Sequence, residues 1–355
     1  MRKIQELTRS TTQQNRRRND DEATVYHGGD LAAARRLFPS APEPWIDLST
    51  GINPEPYPFP ALPLEAFSRL PEPGQLADLE AAAARRYGAP PSAEIVAAPG
   101  TQALIQLLPR LHKAKSVGIL GFTYGEYARV WREIGLAPQA VETLEALSAF
   151  DLAIIVNPNN PDGRLTRAED LSALAHHLAR KGGLLVVDEA FMDLLPENHS
   201  LVPILPEQGA LVLRSFGKTY GLPGIRLGFA VTNTTLGERL RHLLGPWAVS
   251  GPAIEIGCAA LADALWLKAM AARLKRRAAI IDAAMTLCGA KIIGATPLFQ
   301  LFIHATAENL FQRFGREGVL LRRFPARPDW LRVGLVGAAF EDRFLSIAER
   351  ISKAA

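Results

Sequence analysis

Short, continuously apolar stretches recur along the first two-thirds of the chain. Ile95–Ala98, Ser116–Leu120, Leu152–Val156, Leu184–Val187 and Ala210–Leu213 each read as a strand. Their lack of polar alternation is what a sheet covered on both faces requires. Between them, apolar positions at three- and four-residue steps predict helices. One spans Gly74–Tyr87 and stops at Gly88. A second opens at Gly100-Thr101-Gln102. A third runs from a Thr166/Glu169 capping box to about Arg180, ahead of Gly182-Gly183. Buried strands alternating with helices over roughly residues 70–240 predict an α/β fold, a mostly parallel sheet with helices on both faces.

Outside that block the pattern changes. A short helix is expected over Leu31–Leu37 and a strand-like start at Trp45–Leu48, after which prolines and glycines exclude regular structure from Gly51 to Pro63. From about Gly237 to Leu287 the chain is helical and rich in alanine and leucine, as a long crossover between two domains would be. Strands follow at Lys291–Ile293 and Leu298–Ile303, then a helix over Ala307–Gly315. Two last strands, Gly318–Phe324 and Leu331–Leu335, flank a proline-rich loop.

Composition narrows the class. With 355 residues, 48% of them hydrophobic and 21% charged, the chain can bury the core of two domains. Its net charge of +4 raises the question of nucleic acid, and the location of that charge answers it. Residues 1–20 hold six basic groups against two acidic ones, so the remaining chain sums to zero. The basicity belongs to a polar tail, expected to be disordered, and not to a groove on the folded body. That tail lacks the apolar run of a secretory signal, and a transit peptide or an over-long start stays open. No apolar run approaches the roughly 18 residues of a membrane span. Cys258 and Cys288 show no metal-ligand or redox spacing, which predicts free thiols in a reducing cytoplasm and no metal.

The candidate chemistry gathers just beyond Ala210–Leu213. Lys218 stands among small residues at that strand's end, and a desolvated lysine there can attack a carbonyl. Ser215, three residues before it, and Arg226, eight after it, can together hold a phosphate dianion. Aldehyde capture beside a phosphate grip suits pyridoxal 5'-phosphate; the spacing of Ser215 and Lys218 alone also suits a surface loop with ordinary charges. The glycine-led helix start at Gly100 is a second phosphate cradle, with unpaired N–H groups and a positive dipole end.

The whole segment Ser215-Phe216-Gly217-Lys218-Thr219-Tyr220-Gly221-Leu222-Pro223-Gly224-Ile225-Arg226 resembles the cofactor-lysine segment of the aspartate aminotransferase superfamily, the fold type I pyridoxal phosphate enzymes. Asn157-Pro158-Asn159-Asn160-Pro161-Asp162-Gly163 and Asp188-Glu189-Ala190-Phe191 are similar to two more of its motifs. Within it, Tyr26-His27-Gly28-Gly29-Asp30 and Asp47-Leu48-Ser49-Thr50-Gly51-Ile52-Asn53-Pro54 resemble the opening of the threonine-phosphate decarboxylases of cobalamin biosynthesis, a branch close to the histidinol-phosphate aminotransferases. The resemblance implies Lys218 as the catalytic lysine that captures the cofactor aldehyde. It implies Gly100, Thr101, Gln102, Ser215 and Arg226 at the cofactor phosphate. Tyr124 would stack on the pyridine ring, Asn160 would bond its phenolic oxygen, and Asp188 would face its nitrogen. His27, Gly28, Gly51, Asn160, Arg322 and Arg332 would meet a small phosphorylated amino acid, with Arg332 on its carboxylate. Standing alone, Asp188 also suits a helix cap, Tyr124 a core ring and His27 a surface position.

The same resemblance implies a seven-stranded large domain over residues 66–240. A small domain would combine residues 21–65 with 241–355, in a cytoplasmic homodimer. Gly100, Tyr124, Asn160, Asp188 and Lys218 all follow strand C-terminal ends, where ligands of open α/β sheets bind. The chain departs from the pattern at Phe191 and Leu70, where tyrosines are usual, so one bond to the phenolic oxygen and one cross-subunit bond to the cofactor phosphate are expected to be absent. The implied activity is decarboxylation of O-phospho-L-threonine to aminopropanol phosphate, with aminotransfer to histidinol phosphate or a related amino acid as the alternative. A pyridoxal-phosphate-binding regulator needs a DNA-binding domain that twenty polar residues cannot form.

Overall fold

The computed structural model describes residues 27–353, so the polar tail over residues 1–20 lies outside it. Thirteen strands form in these residues. They are β1 (Ile46–Asp47), β2 (Glu94–Ala98), β3 (Val117–Leu120), β4 (Gln139–Val141), β5 (Leu152–Val156), β6 (Leu184–Asp188), β7 (Ala210–Ser215), β8 (Gly228–Thr232), β9 (Lys291–Thr296), β10 (Phe299–Ile303), β11 (Val319–Leu320), β12 (Arg322–Phe324) and β13 (Arg327–Gly334). Strands β2 to β8 make one seven-stranded sheet in the order β2-β8-β7-β6-β5-β3-β4. All its pairings are parallel except those of β8, which runs against both neighbours, so β2 again points the same way as β7.

The apolar runs follow from burial on both faces. In β5, Ala153 and Ile155 enter one core cluster while Leu152, Ile154 and Val156 enter another; β6 divides the same way. No residue of either strand faces water, so neither shows alternation. Truncating fully buried Ile154 to alanine would cost about 2–5 kcal/mol. Two strands carry weaker sequence signals. Strand β4 is a partly exposed edge strand, and β8, though buried, is contiguous with the loop that holds Arg226.

The structure corrects two sequence readings. The helix after β5 spans Ala168–Ala179 with Arg167 as its N-cap and no side-chain cap bond. The Thr166/Glu169 capping box does not form because Asn157 engages the Thr166 backbone, donating to its carbonyl and accepting from its N–H. The single strand expected over Gly318–Phe324 is two. Buried Leu321 carries the chain from β11, paired in parallel with β1, to β12, paired with β13. That switch sets Arg322 opposite Arg332 in the sheet β12-β13-β10-β9.

The helical stretch after β8 divides into Thr234–Leu244, Gly251–Ala262 and Ala264–Leu287. Asn233, Ser250 and Asp263 cap them by accepting backbone N–H bonds. Across this frame lies the irregular segment after Gly51, a strap fixed at both ends. Asn53 donates to the carbonyls of Lys218 and Thr219, each at 2.9 Å, and Tyr57 to that of Tyr220 at 2.8 Å. Glu55 pairs with Arg273 and with buried Arg277 on the long helix. Among the described residues no helix is long and apolar enough to cross a membrane.

Candidate active site

The C-terminal ends of β2, β3, β5, β6 and β7 open on one side of the sheet into a cavity of about 420 Å³. Every residue nominated from the sequence lines it, from His27 to Arg332. The cavity has a nucleophile, a buried carboxylate, an anion cradle and a pair of guanidinium groups.

Lys218 sits in the single helical turn Phe216–Thr219 directly after β7. Burial, followed by the charge of Arg332, pushes its amine down to about 8, with Asp188 opposing the shift. A substantial share of the amine is therefore neutral and nucleophilic near pH 8. Asp188, the last residue of β6, is buried and raised to about 6 by that burial. Its Oδ2 accepts from the Tyr127 hydroxyl at 2.8 Å and its Oδ1 from the Ala190 N–H at 3.0 Å. The chain turns after Asp188 instead of entering a helix, so it is not a helix cap.

Gly100 is the N-cap of helix Thr101–Leu111, with φ 85° and ψ 157°, a conformation essentially confined to glycine. Its missing side chain also leaves space for Arg226, whose Nη2 would lie 2.7 Å from a Cβ there. Arg226 itself has φ 56°, and Ser215 ends β7 beside the lysine turn. Helix N–H groups, a hydroxyl and a guanidinium thus border one end of the cavity. Tyr124, in the loop after β3, donates to Gln102 Oε1 at 3.2 Å, and its ring meets Tyr127 and His27 edge-on.

At the other end, Arg332 Nη1 donates to Asn160 Oδ1 at 2.5 Å and Nη2 to the Ser49 carbonyl at 2.8 Å. Burial and the adjacent Arg322 push Arg332 down to about 9. Two guanidiniums sharing one cavity repel, and an anion between them relieves the repulsion. Arg323, on the opposite face of β12, pairs outside the cavity with Glu308 at 2.8 Å, as strand alternation requires.

The His-Gly-Gly segment rides on Ser49. A Cβ on Gly28 would sit 2.3 Å from the Ser49 carbonyl oxygen, and the Gly29 N–H donates to Ser49 Oγ at 2.8 Å. The same serine therefore anchors this segment and Arg332. Gly51 passes over Phe191 and Phe299, where a Cβ would approach their rings to within 3 Å. The Phe191 ring lies 5.9 Å from Lys218 Nζ, with no hydroxyl to offer.

Polar residues of the site not nominated from the sequence include Tyr127 behind Asp188, buried Glu126 beside Gln102, and Ser49 and Thr50 on the cavity wall. A second tyrosine three residues after Tyr124, at helical spacing, was the available signal for the first.

The aminotransferase class I and II family model matches residues 51–347. A threonine-phosphate decarboxylase of Sinorhizobium sp is 44% identical over 327 residues, 91% of this chain and 96% of the relative. A threonine-phosphate decarboxylase of Pseudomonas aeruginosa is 39% identical over 312 residues, 87% of this chain and 92% of the relative. Among solved structures, histidinol-phosphate aminotransferase from Sinorhizobium meliloti in complex with pyridoxal-5'-phosphate superposes with a TM-score of 0.79. It is 21% identical, over 93% of this chain and 96% of that one.

Proposed function

The chain belongs to the aminotransferase class I and II family, within it to the threonine-phosphate decarboxylases, and on that premise we propose that it decarboxylates O-phospho-L-threonine with pyridoxal 5'-phosphate as cofactor. The product, aminopropanol phosphate, would serve the side chain of cobalamin. The observation that carries this reading is the facing pair Arg322 and Arg332, in one cavity with Lys218 and Asp188. A substrate with a phosphate and a carboxylate brings one anion to each of these two guanidiniums.

The residues fit the cofactor. Asp188 is a buried carboxylate that accepts bonds from a hydroxyl and an amide, so a pyridinium N–H would suit it as a charged hydrogen-bond donor. The cradle of Gly100, Thr101, Gln102, Ser215 and Arg226 suits the cofactor phosphate, Lys218 its aldehyde, Asn160 its phenolic oxygen and Tyr124 its ring face. When bound, pyridoxal phosphate supplies an electron sink for the pair left on the substrate carbon as carbon dioxide departs.

The chain's own residues do the rest. Arg332, aimed by Asn160 and Ser49, takes the carboxylate, and Arg322 takes the phosphate with His27 and Gly28 closing over it. Lys218 Nζ, near its midpoint at pH 8, can return a proton to the substrate carbon after carbon dioxide has left. Residues 66–240 make up most of the cofactor domain; helix Gly251–Ala262, assigned from the sequence to the small domain, packs instead into the same core as β5 to β8, and most of the remaining flanking chain forms the small domain. Phe59, Leu64, Phe67, Leu70 and Trp247 are each more than 40% exposed, and exposed large apolar side chains of this kind suit burial against a second copy of the chain in a cytoplasmic homodimer.

Purified enzyme given O-phospho-L-threonine alone is expected to release carbon dioxide over many turnovers without any 2-oxo acid. Consumption of one equivalent of substrate without release of carbon dioxide, with the cofactor left as pyridoxamine phosphate, would assign the chain to aminotransfer instead.

A further inference from the structure

Glu126 opens the short helix Glu126–Arg132, and its side chain is 4% exposed. Oε1 lies 3.3 Å from His27 Nε2 and accepts from Arg129 Nε at 2.9 Å. Oε2 accepts from Arg129 Nη2 at 2.7 Å and from Gln102 Nε2. The other end of the Gln102 amide accepts from the Tyr124 hydroxyl. Burial pushes the Glu126 carboxyl up, and Arg129, then Gln102 and His27, more than reverse that, so it is ionised at neutral pH.

Folding alone does not call for this carboxylate. Arg129 has a second partner in Glu133, and a buried ion pair is often no more stabilising than apolar packing of the same volume. What Glu126 does is join three separate segments. His27 belongs to the segment over the phosphorylated end of the substrate; Gln102 lies in the first turn of the helix at the cofactor phosphate; Tyr124 lies in the loop between them.

We propose that Glu126 is a positioning residue that couples the two ends of the site, holding Gln102 and Tyr124 for the cofactor and His27 for the substrate phosphate through one carboxylate. A bound cofactor that fixes Gln102 then also fixes the carboxylate against which His27 rests. The substrate half of this statement rests on the functional reading above; the cofactor half does not.

Glu126→Gln, His27→Ala and Gln102→Ala separate the possibilities. Three quantities are read: pyridoxal phosphate affinity of the cofactor-free protein from its absorbance, KM for O-phospho-L-threonine, and hydrogen exchange at the Gly29 amide. His27→Ala should raise KM and Gly29 exchange about fivefold and leave cofactor affinity unchanged, whereas Gln102→Ala should weaken the cofactor about fivefold with Gly29 exchange unchanged. Glu126→Gln should change all three about fivefold while kcat falls less than KM rises. The Glu126→Gln/His27→Ala double variant should match His27→Ala in KM. If Glu126→Gln lowers Tm but shifts neither cofactor affinity nor Gly29 exchange, or shifts one alone, Glu126 is structural and the proposal fails. A wild-type protein inert towards O-phospho-L-threonine overturns the substrate reading by itself, and cofactor affinity and Gly29 exchange still decide the role of Glu126.

Discussion

Gly100→Ala tests the phosphate cradle through a position with two separate reasons to be glycine. With φ 85° and ψ 157°, an alanine there is strained by about 1–3 kcal/mol whatever surrounds it. Its Cβ would also lie 2.7 Å from Arg226 Nη2 and 3.2 Å from Cζ. The far end of an exposed arginine can swing away, so the clash is relieved by moving Arg226 out of the cradle and not by unfolding. A hydrogen bond to a charged group contributes about 1.5–3 kcal/mol, which is roughly a tenfold to hundredfold loss of pyridoxal phosphate affinity. Exposure of Arg226 favours the lower figure. The assay is absorbance titration of cofactor-free protein, with Tm measured alongside. Arg226→Ala should reproduce the affinity loss without the loss of Tm, and combining the two should add little to the affinity loss because the first change has already removed the contact. Wild-type cofactor affinity in Gly100→Ala would refute the placement of Arg226 at the phosphate.

Cofactor capture by the free protein should speed up with pH to a plateau with a midpoint near 8, because the neutral Lys218 amine is the attacking form; a midpoint near 10 would show an unperturbed lysine. Borohydride reduction followed by peptide mapping should label Lys218. Asp188→Asn should cost several orders of magnitude in rate with the fold intact. The pKa of Asp188 is raised from 3.8 to about 6, so its protonated form favours folding and cofactor-free stability declines as pH rises through that window. Thermal melts of cofactor-free Asp188→Asn should therefore exceed wild type at pH 8 and converge with it near pH 4; a wild-type advantage at pH 8 would refute the burial argument. Arg322→Lys should lose more activity with phosphothreonine than with threonine, since a lysine cannot fork onto the phosphate; equal losses would place Arg322 away from it.

The sheet was readable because strands such as β5 and β6 are covered on both faces, which leaves a local and uninterrupted apolar signature. Strand β4 lacked that signature because it lies at a partly exposed edge. The division of Gly318–Phe324 depends on which strands receive its two halves, β1 at one end of the chain and β13 at the other, and nothing local encodes a change of partner. The capping box failed for a similar reason: Asn157, nine residues earlier, took the Thr166 backbone. At the site, residues lying in motifs were legible through their resemblance to a family, since Lys218, Asn160 and Asp188 sit within contiguous patterns. Glu126 and Tyr127 act through tertiary contacts with Gln102, His27 and Asp188, which sequence spacing does not reveal.

The strap after Gly51 has a consequence for biosynthesis. Asn53 finds its partner 166 residues later in the chain and Glu55 finds Arg277 222 residues later, while the Ser49 carbonyl waits for Arg332, 283 residues on. A ribosome adding about 5–20 residues per second exposes the early segment for many seconds before those partners exist. The central sheet can form while translation continues, because strands β2 to β8 all lie between residues 94 and 232. Lys218, Asp188 and the Gly100 helix start are then in place, but Arg332, proposed for the substrate carboxylate, is added near the end of translation. A chain cut short before Arg332 would retain the residues proposed for the cofactor and lack the arginine proposed for the substrate carboxylate. Completion of the polypeptide is thus itself the final step in assembling the site.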